Sequence, residues 1–197
     1  MKKCLLVVDL EATCWDGNVE GLDRKQTVDD MEIIEFGCVV ASHDGMVIDS
    51  HSFIVRPQIH PKLSSFCSEL TSITQQDVDL APVYAEVIEL INTWSSKFEL
   101  AVWGSWGDYD RNQIQTEQHR YHIAPAFFEL PHINLKQRWR EGKVSNRRSG
   151  LANALKHHGL CFDGMHHRGI DDARNIARLL PFIKFDTQKP EKSRSFI

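Results

Sequence analysis

Asp9-Leu10-Glu11 ends an apolar run that begins at Cys4. In a strand, residues i and i+2 face the same way, so the two carboxylates project from one side. Like charges held together beside an apolar core resist ionisation unless a cation compensates. A divalent ion with oxygen ligands supplies that compensation; a solvated strand end is the plainer account of the same pair. A second acidic pair, Asp171-Asp172, follows His167 in a run that reads as a helix start. At about 100° per residue, Asp172 shares a face with Ile176 and Leu179, and Asp171 shares one with Arg174, Asn175 and Arg178. Asp172 therefore points into the protein, where a metal or a set of buried donors must satisfy it. Asp171 suits the solvated first turn of a helix, where the dipole favours an acid. His167 stands out from its neighbours His157, His158 and His166 through its spacing from Asp172. A third acidic group, Asp108-Tyr109-Asp110, follows an apolar run ending at Trp103. Asp108 fits a helix N-cap, which puts Asp110 in the first turn.

These residues need elements to hold them. Cys4–Leu10 reads as a buried strand, 13–30 as a polar loop, and Glu32–Ala41 as a second strand. The turn His43-Asp44-Gly45 leads to a third strand over Met46–Val55, completing an antiparallel meander that Pro57 and Pro61 end. Pro82 opens a helix whose stripe is Val83, Val87, Ile88, Ile91 and Trp94. A fourth strand over Phe98–Trp103 precedes a turn at 104–107 and a polar helix over Asp108–Tyr121. Shorter helices are expected over Leu135–Glu141 and Gly150–His158, the latter stopped by Gly159. The last helix spans Ile170–Ile183, bent or ended by Pro181. Strands first, then strands alternating with helices, indicate a mixed sheet with flanking helices in one domain.

The 197 residues can bury a sizeable core, and 42% apolar with 25% charged residues is ordinary for a globular chain. No apolar run approaches a membrane span, and the first residues lack a signal-peptide cleavage pattern, so no membrane association is expected. The cysteines Cys4, Cys14, Cys38, Cys67 and Cys161 are scattered and odd in number, which suits a reducing cytoplasm rather than a zinc site or disulfide framework. The formal charge is −4. A protein held to nucleic acid mainly by phosphate contacts should be basic, so any such affinity here must be local.

Taken together, Asp9 and Glu11, a middle aspartate and the final His-x-x-x-x-Asp resemble the DEDDh exonuclease superfamily. The chain is most similar to its Eri-1-like 3′–5′ exoribonuclease group. Supporting stretches are Glu32-Ile33-Ile34-Glu35-Phe36, Arg56-Pro57, Leu70-Thr71-Ser72-Ile73-Thr74, Gly104-Ser105-Trp106 and the run from Gly169 to Arg178. The resemblance covers roughly residues 4–184. It implies an α/β, RNase H-like fold: a mixed five-stranded sheet flanked by helices. The exonuclease domain is thus expected over 1–184, and the tail over 185–197, charged and without periodicity, is expected to be mobile.

The resemblance also implies a two-metal mechanism with Mg²⁺ or Mn²⁺, two ions per site. Asp9, Glu11, Asp110 and Asp172 would be the metal ligands, and His167 would take the proton of the attacking water. In the family an aromatic residue precedes the middle aspartate, which favours Asp110 and leaves Asp108 as the alternative. Substrate contacts carry over to Ala12 and Thr13 at the terminal sugar and to Leu70, Thr71 and Ile73 at the terminal base. Phe66, Leu70 and Ile73 are equally plain core residues. The expected partner is nucleic acid with a free 3′ end, RNA before DNA, and the expected products are 5′-mononucleotides. No separate RNA-binding domain is expected. Lys143, Arg147 and Arg148 form a compact basic cluster able to meet phosphates, and Trp103 and Trp106 could stack bases or pack beneath the site. The competing readings are a DNA-directed or proofreading-type exonuclease and a silent nucleic-acid-binding module.

Overall fold

The structure, a computed structural model, describes residues 4–19, 21–141 and 150–185. The basic cluster at Lys143, Arg147 and Arg148 and the expected tail from residue 186 onward lie outside the described residues.

Five strands, β1 (Cys4–Ala12), β2 (Ile33–Ala41), β3 (Val47–Ile54), β4 (Leu100–Ser105) and β5 (His132–Asn134), form one sheet in the order β3-β2-β1-β4-β5. The meander β1-β2-β3 is antiparallel, while β4 and β5 run parallel to β1 and to each other. This is the mixed sheet expected of an RNase H-like fold. As the middle strand, β1 is covered on both faces, which explains its unbroken apolar run. Leu6, Val8 and Leu10 face one core with Val87, Ile88, Ile91 and Trp94 of α3 (Tyr84–Ser95). Leu5 and Val7 face the other, with Ala173, Ile176 and Ala177 of α7 (Gly169–Ala177).

The remaining helices are α1 (Ser65–Thr71), α2 (Gln75–Leu80), α4 (Tyr109–Tyr121), α5 (Leu135–Arg140) and α6 (Leu151–His157). Helices α1 and α2 fall where the sequence reading assigned none. They are short and depend on local caps: the Ser64 hydroxyl accepts the Cys67 N–H at 3.0 Å, and Thr74 and Asp77 form a capping box. Helix α4 lacks a full apolar stripe; it is held by Ile114, which is buried in the α3-side core, and by polar side chains. Gln113 donates to the Met31 carbonyl, and Glu117 accepts the Ile33 N–H.

Several element boundaries differ from expectation: β1 runs on to Ala12, β4 runs on to Ser105 through the start of the expected turn, and two further shifts have a clear local cause. Strand β4 begins at Leu100 rather than Phe98, because the Phe98 N–H closes a turn onto Ser95 at the end of α3. The last helix stops at Ala177 rather than Ile183. Pro181 has no N–H to return to the Ala177 carbonyl, and the chain passes into a 3₁₀ turn over Leu180–Phe182. Phe185 still packs edge-on against His43.

Candidate active site

Asp9 and Glu11 sit on the β1 face that α7 covers, opposite Gly37 and Glu35 of β2. Helix α7 approaches this face closely. A Cβ on Gly37 would lie 2.0 Å from the Gly169 carbonyl carbon, and one on Gly169 would lie 2.9 Å from the Asp9 carbonyl oxygen. No side chain larger than hydrogen fits either position. That contact brings Asp172, in the first turns of α7, to the two β1 acids. Asp9, Glu11 and Asp172 each offer a carboxylate oxygen, and the three oxygens lie within 4.8 Å of one another. Asp172 is buried, whereas Asp171 is partly exposed and pairs with Arg174 at 3.3 Å.

Asp110 arrives by a different route. The pairing of β1 with β4 ends at Val7, leaving the later N–H groups of β1 on that side without a strand partner. The first turn of α4 fills the gap, and Asp110 Oδ1 accepts the Leu10 N–H at 3.0 Å. Asp110 is buried and lines the same cleft as the other three acids. Asp108 is exposed, and its side chain makes no capping bond to α4. It borders a separate depression with Arg111 and His132.

His167 is exposed at the rim of the cleft, in the left-handed conformation with φ 60°. Its N–H donates to Asp172 Oδ2 at 2.7 Å, so an acid of the cluster also holds the turn that presents the imidazole. The other nearby histidines are taken up by packing. His166 stacks on Phe162, while His158 stacks on Phe182 and accepts from Trp139 Nε1 at 3.0 Å. His157 meets the Trp139 ring edge-on.

The electrostatics follow from four acids in one half-enclosed place. Burial, then Asp110 and Asp172, raise the Asp9 carboxyl well above the usual range. Burial, then Asp172, push Glu11 up to about 9. Asp110 is raised to about 6 by burial, against the opposing hydrogen bond from Leu10. Asp172 is raised by burial, opposed by the His167 N–H. Full ionisation therefore requires added positive charge, and clustered carboxylate oxygens are the donors that hard divalent cations prefer. The residues fit such ions.

An open cleft of about 510 Å³ surrounds these groups. Ala12 and Leu70 line it, together with Cys14, Phe66, Trp106, Tyr109 and Leu151. Thr13, Thr71 and Ile73 do not. The Thr13 hydroxyl accepts the Glu32 N–H, and the Thr71 hydroxyl donates to the Cys67 carbonyl and accepts the Ile73 N–H. Ile73 is fully buried with Ile34 and Val78. Trp103 is also buried, packed against Phe127 on the α3 side of the sheet, whereas Trp106 reaches the cleft. Gln26 and Met31 complete the wall from the loop between β1 and β2. They lie in a polar stretch without periodicity, which carries no sequence signal for either. Tyr109 had one in its position beside Asp110.

Comparison with known proteins agrees with this architecture. The chain is 29% identical over 204 residues to 3′–5′ exonuclease eri1 of Schizosaccharomyces pombe, covering 89% of this chain and 66% of that protein. It is 32% identical over 185 residues to human 3′–5′ exoribonuclease 1, covering 89% of this chain and 50% of that protein. It thus spans between half and two thirds of these curated relatives. Among solved structures, the nuclease domain of 3′hExo, a DEDDh family member bound to rAMP, superposes with a TM-score of 0.79. That match has 28% identity and covers 91% of this chain and 90% of that one. The RNase T family model, described as Exonuclease, matches residues 6–180. This range takes in β1, α4 and α7, the three elements that bring the acids together, and the chain belongs to this exonuclease family.

Proposed function

We propose that this chain is a metal-dependent 3′–5′ exonuclease that releases 5′-mononucleotides, acting on RNA in preference to DNA. The observation that carries the reading is the convergence of Asp9, Glu11 and Asp172 within 4.8 Å, with Asp110 anchored on Leu10 beside them. The names of the relatives, 3′–5′ exonuclease and 3′–5′ exoribonuclease, support the polarity and the sugar preference.

Asp9, Glu11, Asp110 and Asp172 would hold two Mg²⁺ or Mn²⁺ ions. When bound, such ions neutralise the scissile phosphate and stabilise the attacking and leaving oxygens of an in-line displacement. His167, at the rim and free to reach the cleft, accepts the proton of the attacking water, a role suited to imidazole near neutral pH. Its position depends on Asp172 through the 2.7 Å main-chain bond. Phe66, Leu70 and Ala12 form an apolar wall against which the terminal nucleoside packs. Behind that wall the Thr71 hydroxyl ties the Cys67 carbonyl of α1 to the Ile73 N–H, and the Thr13 hydroxyl holds the Glu32 N–H. The exonuclease unit occupies residues 1–184. The cysteine pattern favours a cytoplasmic setting, and no helix among the described residues is long and apolar enough to cross a membrane.

The test is digestion of matched RNA and DNA oligonucleotides, 5′-labelled, with Mn²⁺ or Mg²⁺. The expected result is a ladder shortening from the 3′ end, faster for RNA. Intact RNA at both metals would defeat the reading; faster loss of DNA would overturn the sugar preference.

A further inference from the structure

Glu35 is an acid buried to 0% exposure within the sheet, beside the acidic cluster but outside its three clustered oxygens. It faces the α7 side of β2, directly opposite Glu11. Its carboxylate accepts three hydrogen bonds from two parts of the chain and faces one guanidinium. Oε2 accepts the Gly169 N–H at 2.9 Å, and Oε1 accepts the Ile170 N–H at 3.4 Å and the Ser52 hydroxyl at 2.6 Å. Arg168 Nε lies 3.3 Å from Oε2, at ion-pair distance but without the alignment of a hydrogen bond.

Gly169 and Ile170 are the first two residues of α7, and their N–H groups are among those a helix leaves without internal partners. The residue at the N-cap, Arg168, makes no side-chain capping bond. Glu35 takes that part from 134 positions away in the sequence. The segment it clasps is flanked by His167 and by Asp172, which are themselves joined by the His167 N–H bond. The glycine contact between Gly37 and Gly169 sets how near α7 comes to the sheet, but two glycines do not fix its rotation or slide. A carboxylate with aligned donors does.

We propose that Glu35 is a positioning residue for the acidic site. It locks the start of α7 so that Asp172 meets Asp9 and Glu11 at metal-binding distance and His167 stays at the cleft. Arg168 offsets the charge that Glu35 would otherwise add to an already acidic place, and Ser52 of β3 orients its carboxylate. The inference rests on the proposed metal-dependent activity for its kinetic readout but not for its binding readout.

The experiment compares wild type, Glu35→Gln and Ser52→Ala as full chains. Mn²⁺ affinity is measured by electron paramagnetic resonance well below each melting temperature, and kcat and KM are measured on a short RNA. Partners that orient metal ligands are worth about 10- to 100-fold in affinity. Glu35→Gln is therefore expected to weaken Mn²⁺ binding about tenfold and lower kcat at least as much, with KM within about twofold. Ser52→Ala is expected to shift the same quantities in the same direction by a smaller factor, about two- to fivefold. A folded Glu35→Gln protein with wild-type Mn²⁺ affinity and kcat would overturn the assignment. If Glu35→Gln does not fold, unchanged Mn²⁺ affinity in Ser52→Ala overturns it instead. Should wild type leave RNA intact while Glu35→Gln still loses Mn²⁺ affinity, the activity reading fails and the positioning role stands.

Discussion

Asp110 Oδ1 accepts the main-chain N–H of Leu10 at 3.0 Å, so the third acid is pinned between the two acids of β1 by the residue that separates them. The bond explains how a polar helix with no full apolar stripe can place one carboxylate accurately. It also separates Asp110 from Asp108, which lies two residues earlier, is exposed and borders a different depression.

The first prediction follows from this pairing. Asp110→Asn keeps an acceptor for the Leu10 N–H but loses the charge, and is expected to lower kcat by about two orders of magnitude or more. Asp108→Asn should remain within about twofold of wild type. Because burial raises Asp110 to about 6, its ionised form destabilises the metal-free fold above that pH. Asp110→Asn should therefore melt at a higher temperature than wild type in EDTA at pH 8. Loss of activity in Asp108→Asn with full activity in Asp110→Asn would reverse the assignment.

A second prediction concerns pH. Glu11 is raised from 4.5 to about 9, and Asp9 and Asp172 move in the same direction. For an acid whose folded pKa is raised, the folded state holds more protons than the unfolded state between the two values, so stability falls as pH rises through that window. In EDTA the melting temperature should decline from pH 5.5 to 9. Metal binding requires the deprotonated acids, so added Mn²⁺ should raise the melting temperature by an increment that grows with pH and should release protons in weakly buffered solution. An increment that shrinks toward pH 9 would contradict this.

The legible part of the molecule was the part encoded locally. Asp9 and Glu11 follow from strand alternation, and the inward turn of Asp172 follows from helical spacing; the structure has Asp172 buried and Asp171 paired with Arg174. The apolar run of β1 and the stripe of α3 identified both cores. What was illegible depends on contacts distant in sequence. Strand β5 has three residues and exists because it pairs with β4. Thr13 and Thr71 are neighbours of motif residues, but hydroxyls satisfied by nearby main chain keep them out of the cleft. Glu35 sits within a recognisable stretch, yet its bond to Gly169 crosses 134 positions and no local pattern announces it.

A third prediction addresses the base. His167 lies at the rim and touches Asp172 through its main chain rather than its ring. His167→Ala should therefore leave Mn²⁺ affinity within about twofold, because the metal-facing oxygens are undisturbed, while kcat falls by about 10²–10⁴, the usual worth of a positioned general base. Equal kcat in the variant would remove His167 from the mechanism, and a matching loss of Mn²⁺ affinity would make its role structural.

The fourth prediction separates the wall of the cleft from what supports it. Leu70 is partly exposed and lines the cleft, whereas Ile73 is three residues on, fully buried among Ile34, Cys67 and Val78. Leu70→Ala removes cleft surface on which the proposed substrate's terminal nucleoside would pack, so KM should rise several-fold with little change in melting temperature. Ile73→Ala opens a cavity in a close-packed cluster, a change that costs about 2–5 kcal/mol. At about 2–4 °C per kcal/mol for a chain of this size, the melting temperature should fall by roughly 4–20 °C. KM measured well below that temperature should stay near wild type. If Ile73→Ala instead raised KM while leaving the melting temperature unchanged, the cleft would extend to Ile73, which would then contact the terminal base.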